Sequence, residues 1–347
     1  YPGTSLTWYQ RLANTLHVGT DASAVRALLT VSPGEPVDSE RIYEAERALR
    51  RQPFLVEARI IPVRCAEGVV DAEVRVRDAW TLQVGASIGS AGGESTRSAG
   101  FRDDNFLGTG KTILLSWREG RDRTTRELAY HDPALLGSDW TLDLNERDLS
   151  DGNGEAAALA RPFRRVDQQW AFHLEVDRAR YELDFDENNQ TAYTVRSRSE
   201  QVDVELRHLL RRTGDTGWRI GGGWRRDEAL YGELQEQAAS LRPAPTLRDR
   251  QLQGPYVSVE HFNERYRSFR NLRTVGMQED HDLGIDARGV IGRYADVAGD
   301  SDPWFFEGTL EHGVQLGDGG LMLATVDVQG RYSEAFGREA YYRSVSG

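Results

Sequence analysis

Cysteine is almost missing from this chain of 347 residues. A single Cys65 excludes an internal disulfide framework and a cysteine-built zinc site, and its strand-like surroundings predict a half-buried position. No run approaches the roughly 18 consecutive apolar residues that a membrane helix needs, so helical membrane spans are excluded. Basic excess is also lacking. With 43 Lys and Arg against 55 Asp and Glu the formal charge is -12, which repels a phosphate backbone and argues against a nucleic-acid partner. The two signs are interspersed, as in "REGRDRTTRE", so there is no polybasic stripe for a membrane surface. A signal peptide is absent from "YPGTSLTW", and a mature or trimmed chain is expected.

What is present divides into two periodicities. Residues 12–78 read as a small mixed unit. "TLHV" is a short strand, and "TDASAVRALL" is a helix with Thr20 or Asp21 as its cap and Val25, Leu28 and Leu29 on one face. "SPGEP" breaks the chain before a second helix that starts behind Asp38 or Ser39, buries Ile42, Ala45 and Leu49, and stops before Pro53. "FLVEARIIPV" and "VVDAEVRVRD" follow as strands joined at Gly68, with Val70, Ala72, Val74 and Val76 on a buried face. The order is β-α-α-β-β, in about 65 residues, enough for a small core.

From Trp80 onward the pattern alternates. Leu82, Val84, Ala86 and Ile88 share a face. So do Trp170, Phe172, Leu174 and Val176, set against Ala171, His173, Glu175 and Asp177. Alternation of this kind suits a soluble barrel or a membrane barrel, which are the same pattern turned inside out. Tight connections ("LGTG", "TGDTG", "GDGG") mixed with long polar ones ("DFDENNQ", "ADVAGDSDP", and Leu234 to Gln253) favour the membrane barrel, with its short turns on one side and longer loops on the other. A polar lumen also reconciles a membrane protein with a mean hydropathy of -0.59. Trp80, Trp140, Trp170, Trp218 and Trp304, near strand ends, fit an interfacial girdle, while core tryptophans are the plain alternative. The stretch from Leu234 to Arg248 has weak helical character and reads as an outer loop.

Several motifs yield to plainer readings. "NFLGTGKT" has Asn105 where a phosphate-binding loop needs its first glycine, and the following "KTILLSW" is a strand pattern, not a helix. It reads as a tight turn in which Gly108 and Gly110 supply unusual φ. "GASIG" fits a serine-nucleophile pattern around Ser87, but Ser87 falls mid-strand. "DLSDGNGE" offers Asp148, Asp151, Asn153 and Glu155 as oxygen ligands without the spacing of a calcium loop, so a hairpin is expected. The seven histidines lie singly, which gives a zinc site little support. No catalytic residue, metal site or cofactor is expected.

"VSPGEPVDSERIYEAERALRRQPFLVEARIIPV" followed by "VVDAEVRVRDAW" resembles a polypeptide-transport-associated (POTRA) domain. "VGASIGSAGGESTRSAGFRDDNFLGTGKTILLSW" and "LAYHDPALLGSDWTLDL" are similar to the opening strands of the outer-membrane β-barrel assembly superfamily, the BamA/TamA-like proteins. The resemblance implies an α+β POTRA domain over 12–78 in the periplasm, and an all-β antiparallel transmembrane barrel over 80–347 in the bacterial outer membrane. It implies periplasmic turns at N-x-x-G-x-G (Asn105, Gly108, Gly110) and at P-x-x-x-G. It implies 16 strands, whereas the segment after Trp80 has room for about 12 to 14, so missing C-terminal strands are expected. The superfamily's V-R-G-F/Y loop role is not carried over to "ARGV", Ala287 to Val290. The expected activity is non-enzymatic: insertion, assembly or translocation of unfolded outer-membrane or secreted polypeptides, bound by β-augmentation, with outer-membrane lipid as the second partner. Gly85 and Gly89 weaken the first barrel strand and are gate candidates beside Asn105, Gly108 and Gly110. An anchor or export barrel for an enzymatic, lipase-like passenger is the alternative, and a soluble all-β binding protein is a third reading.

Overall fold

The computed structural model describes residues 18–346 apart from 92–93, 166, 189, 239–242, 271, 273–276, 298–301, 318–319 and 334–336; for 91, 94, 333 and 337–346 it describes the backbone alone. Most of the expected "TLHV" strand, residues 15–17, lies outside the described residues, and Val18 is irregular.

Helix α1 (Ala22–Leu28) starts behind Asp21, which is extended but makes no side-chain cap bond. The other cap candidate, Thr20, is engaged elsewhere: its hydroxyl and its backbone N–H donate to the two carboxylate oxygens of Asp78, at 2.6 and 3.0 Å. Helix α2 (Ser39–Arg50) is capped by Asp38, whose carboxylate accepts from the Arg41 N–H at 2.9 Å. β1 (Leu55–Ala66) and β2 (Val69–Asp78) form an antiparallel hairpin that turns through Glu67 and Gly68, both at positive φ. Val25, Leu28, Leu49, Phe54, Leu55 and Ala58 make the core of this α/β unit, with Val74 and Val76 packed against it. Only the near half of the hairpin is covered. Val63, Val69 and Val70 are exposed, and so is Cys65, which corrects the expected half-buried cysteine and the fully buried strand face. The helices are too short to reach the distal half.

The remainder is a 16-stranded antiparallel sheet that runs in sequence order. Its strands are β3 (Leu82–Ala91), β4 (Glu94–Asp103), β5 (Thr112–Glu119), β6 (Thr124–Asp132), β7 (Thr141–Leu149), β8 (Gly152–Arg161), β9 (Trp170–Glu187), β10 (Gln190–Thr213), β11 (Thr216–Tyr231), β12 (Gln235–Glu236) and β13 (Arg250–Asn263). After a separate two-stranded hairpin, β14 (Tyr266–Arg270) and β15 (Gln278–Asp282), it continues with β16 (Ile285–Arg293), β17 (Ala295–Asp296), β18 (Trp304–Leu316), β19 (Gly320–Ser333) and β20 (Gly337–Ser346). Fourteen strands form the main path, while β12 and β17 are two-residue additions on β10 and β13. Among the described residues no ladder joins β20 to β3, and no closed barrel is seen. The stretch at 234–248 contributes the β12 bridge to Tyr193 and Thr194 and no helix among its described residues.

The register sorts the side chains. One line of paired residues runs Phe172, Leu206, Gly222, Val257, Ile291, Phe306, Gly330 across seven strands; the neighbouring line runs His173, Glu205, Gly223, Tyr256, Gly292, Phe305, Arg331. On the first face Trp218, Ile220, Trp224, Val257, Val259 and Ile291 are 44–55% exposed. On the second, Glu205, Arg219, Asp227, Ser258 and Glu260 are only 2–8% exposed. This reverses the soluble arrangement: the apolar face looks outward and the polar face is enclosed.

Candidate functional site

The turns at the end of the sheet that carries the α/β unit, the near end, are built to hold that unit. Between β4 and β5 the chain folds through residues 104–111, with Leu107, Gly108 and Gly110 at φ of 55°, 77° and 70°. Asn105, 2% exposed, organises the turn. Its side-chain oxygen accepts from the Gly110 N–H at 2.8 Å, and its amide donates to Thr20 Oγ1 at 2.9 Å. The Asp21 N–H donates to the Gly108 carbonyl at 2.8 Å. A Cβ on Gly108 would come within 2.5 Å of the Gly19 carbonyl oxygen, and one on Gly110 within 2.9 Å of the Phe54 ring. Both glycines therefore answer two demands at once, a left-handed backbone and close contact with the unit. Asn105, Gly108 and Gly110 are thus brought together in one turn, and the turn is also a docking surface.

The turn from β6 to β7 repeats this geometry. "DDNFLGT" (103–109) and "DPALLGS" (132–138) superpose in their bonding: the Asp103 and Asp132 carboxylates each accept at 3.0 Å from the N–H two residues on. Thr109 and Ser138 each donate a hydroxyl back to the carbonyl of Phe106 or Leu135, at 2.7 and 2.6 Å. Leu136 and Gly137 adopt the left-handed values of Leu107 and Gly108. Ala134 packs into the core of the α/β unit. Lys111 ties the two turns together through Asp132 at 3.1 Å, and this bond raises the pKa of its ammonium. The sequence signal for the pair was a D-x-x-[FL]-L-G-[TS] repeat 29 residues apart, which the resemblance split into two separate turns.

Gly85 and Gly89 lie apart from this cluster, on the inner face of β3. A Cβ on Gly85 would meet nothing within 4 Å, whereas one on Gly89 would press on Thr96 Oγ1 at 2.9 Å. Ser87 sits between them in mid-strand and shares a 2.8 Å hydrogen bond with Ser98 Oγ. Asp148, Asp151, Asn153 and Glu155 form the expected β7–β8 hairpin, with Asp148, Asp151 and Glu155 paired to Arg126, Arg123 and Arg178.

The inner wall from β10 to β19 carries a network that alternation foreshadowed only as polarity. Glu205 accepts from Arg288 at 2.8 and 2.9 Å and from Ser258 at 2.5 Å. Glu260 accepts from Arg207 at 2.8 Å and from Arg219. Asp203 takes Arg225 and the Tyr256 hydroxyl, both at 2.6 Å, and Arg225 continues to Glu307. Asp227 holds Arg250 and Arg331, both at 2.7 Å. The Arg288–Glu205 pair bridges β16 to β10, three ladder steps or about 14 Å along a flat sheet, so the wall must be strongly curved for these side chains to meet. Gly223 makes room for this: a Cβ there would fall 2.4 Å from the Tyr256 ring. From β3 to β5 the same face offers Gln83, Gly85, Ser87, Gly100 and Ser116, and no such bridges among the described residues.

Trp80, Trp170 and Trp218 are about half exposed near the near end of their strands, and Trp304 equally so at the far end, in line with the girdle expectation. No helix among the described residues is long and apolar enough to cross a membrane. No family model matches the chain, and no curated protein matches it. Among solved structures the chain is similar to BamA from Haemophilus ducreyi lacking POTRA domains 1–3, with a TM-score of 0.37 and 14% identity over 93% of this chain and 81% of that one. It is also similar to CdiB from Acinetobacter baumannii, with a TM-score of 0.45 and 11% identity over 92% of this chain and 51% of that one, so that it spans about half the length of that protein.

Proposed function

We propose that this chain is an outer-membrane β-barrel protein that acts without chemistry to insert, assemble or translocate other polypeptides. The observation that carries the reading is the sorted register, in which the apolar face of the 16-stranded sheet looks out and the charged face is enclosed. A lipid exterior is the environment in which that arrangement lowers free energy, because it removes the outward Val, Ile and Trp side chains from water. The α/β unit is read as a periplasmic POTRA domain over 12–78, the barrel as residues 80–347, and the near end as the periplasmic side.

Two strand edges carry the mechanism. Among the described residues β3 pairs with β4 alone, and its inner face of Gly85, Ser87 and Gly89 offers little side-chain pairing to a neighbour. An extended client could add to that edge by backbone hydrogen bonds, which tolerate many sequences. The distal half of the β1–β2 hairpin, with exposed Val63 and Val69, offers a second edge at the periplasmic side. Depletion tests the role: levels of some outer-membrane or secreted proteins should fall, and normal levels of all of them would reject it. Release from envelopes without detergent would reject the membrane placement.

A further inference from the structure

Between β13 and β16 the chain leaves the main sheet for residues 264–284, the longest near-end connection, and folds the separate hairpin β14–β15. A lone two-stranded hairpin is marginal in water, so its order has to come from what it touches. It touches helix α2. The Arg50 Nε donates to Asp280 Oδ2 at 2.6 Å, with the two side chains only 7% and 3% exposed. Arg51 donates to the Tyr266 hydroxyl at 2.5 Å, and the guanidiniums of Arg47 and Arg51 stand 4.4 and 5.2 Å from the centre of its ring. Burial pushes the Tyr266 hydroxyl up to about 12, so it stays a neutral acceptor under these cations. At the base, the Leu283 N–H donates to the Arg265 carbonyl at 3.0 Å, which closes the hairpin, and the Glu264 N–H donates to the Asp215 carbonyl at 2.9 Å, which ties it to the β10–β11 turn.

We propose that the β14–β15 hairpin is a latch that clasps the arginine edge of α2 and locks the α/β unit across the near end, and that opening it lets the unit pivot on its attachments at the β4–β5 and β6–β7 turns. The unit is also held by the β4–β5 turn, where Asn105 and Gly108 meet Thr20 and Asp21, by the β6–β7 turn, where Ala134 joins its core, and by two half-exposed polar contacts, Arg212 with Glu40 at 2.8 Å and Arg165 with the Thr30 carbonyl at 3.4 Å. The turn contacts and the latch differ in kind. The turn contact is made largely of backbone and close-packed glycine, which has one geometry. The latch is a buried arginine–carboxylate pair and a tyrosine beneath two cations, groups that can separate as a unit and be solvated when they do. Arg50 keeps Glu46 at 3.3 Å and the Ala58 carbonyl at 3.1 Å without Asp280, so opening the latch leaves the fold of α2 intact. The proposal rests on the contacts of the hairpin and not on the transport role.

The test is a distance measurement in the full chain, reconstituted in lipid nanodiscs, with Cys65→Ser and spin labels at Tyr43→Cys on α2 and Leu210→Cys on β10, both exposed. Double electron–electron resonance should give one narrow distribution. Adding Asp280→Asn with Tyr266→Leu should produce a second, broad population, and a narrow distribution unchanged by these substitutions would overturn the latch. A label-free arm guards against misfolding. The Asp280→Asn/Tyr266→Leu chain should exchange amide hydrogen faster across Tyr266–Arg270 and Gln278–Asp282 than the parent while α2 keeps its protection, and unchanged exchange at the hairpin in a chain that keeps its heat-modifiable mobility would also overturn it. An intact latch with no client role would reject the proposed function alone, and the reverse result would reject only the latch.

Discussion

At the scale of single residues, the two near-end turns place leucine where glycine is at ease. Leu107 and Leu136 have φ of 55° and 53°, and Leu136 is 96% exposed, so its side chain contributes almost no packing to set against the left-handed backbone. That conformation costs an L-residue about 1–2 kcal/mol, so Leu136→Gly should stabilise the folded protein by about 1 kcal/mol, read from urea unfolding followed by tryptophan fluorescence. Gly108→Val should act in the opposite sense, because its Cβ meets backbone that cannot yield. Asn105→Ala removes bonds to both Gly110 and Thr20 in a buried place and should cost about 1–3 kcal/mol in the same assay. Glu264, at the base of the hairpin, has its pKa raised by burial, with Asp282 and Glu44 adding to the effect and Arg51 and Arg219 opposing it. Its contribution to stability is therefore full below the ordinary carboxylate range and is lost as pH rises through the raised value. Glu264→Gln should remove that loss, seen as slower hydrogen exchange at the Leu283 amide near neutral pH than in the parent.

At the scale of elements, the wall from β10 to β19 and the strands from β3 to β5 differ in what holds them. Ladder hydrogen bonds are common to both, but among the described residues the first alone has bridges between non-adjacent strands. Deleting one acid leaves a buried cation behind: Glu260→Leu strands Arg219 and leaves Arg207 with Glu205 alone, which should cost about 3 kcal/mol. A paired Ser87→Val and Ser98→Val exchange on the other side loses one exposed hydroxyl contact and should stay within about 1 kcal/mol. If the two exchanges cost the same, the division into a braced wall and a slack one is wrong. The hairpin β14–β15 escaped sequence reading because "YRSFR" and "QEDHD" are polar runs with little alternation; their strand character comes from docking on α2, a contact made 230 residues away in the chain.

At the scale of the whole molecule, the decisive property is which face of one sheet meets which solvent. Val257→Arg, in the middle of the outward band, should cost about 2–4 kcal/mol for folding into a bilayer. Ser258→Thr, one residue on and enclosed, should disturb the Glu205 contact without any dependence on lipid, and refolding yields into vesicles of different thickness separate the two effects. The sequence by itself determined the alternation, a range of about 12 to 14 strands that contains the fourteen of the main path, the helices of the α/β unit and the turn at Asn105, because each is written in local periodicity and in residues with special φ. It could not determine which face is outward, since the period is the same either way, nor that Asn105 would reach from a turn to Thr20. Only the tertiary structure decided the bridges of the inner wall and the clasp between the hairpin and α2. These depend on curvature and on contacts between residues far apart in sequence, for which a chain read in order carries no signal.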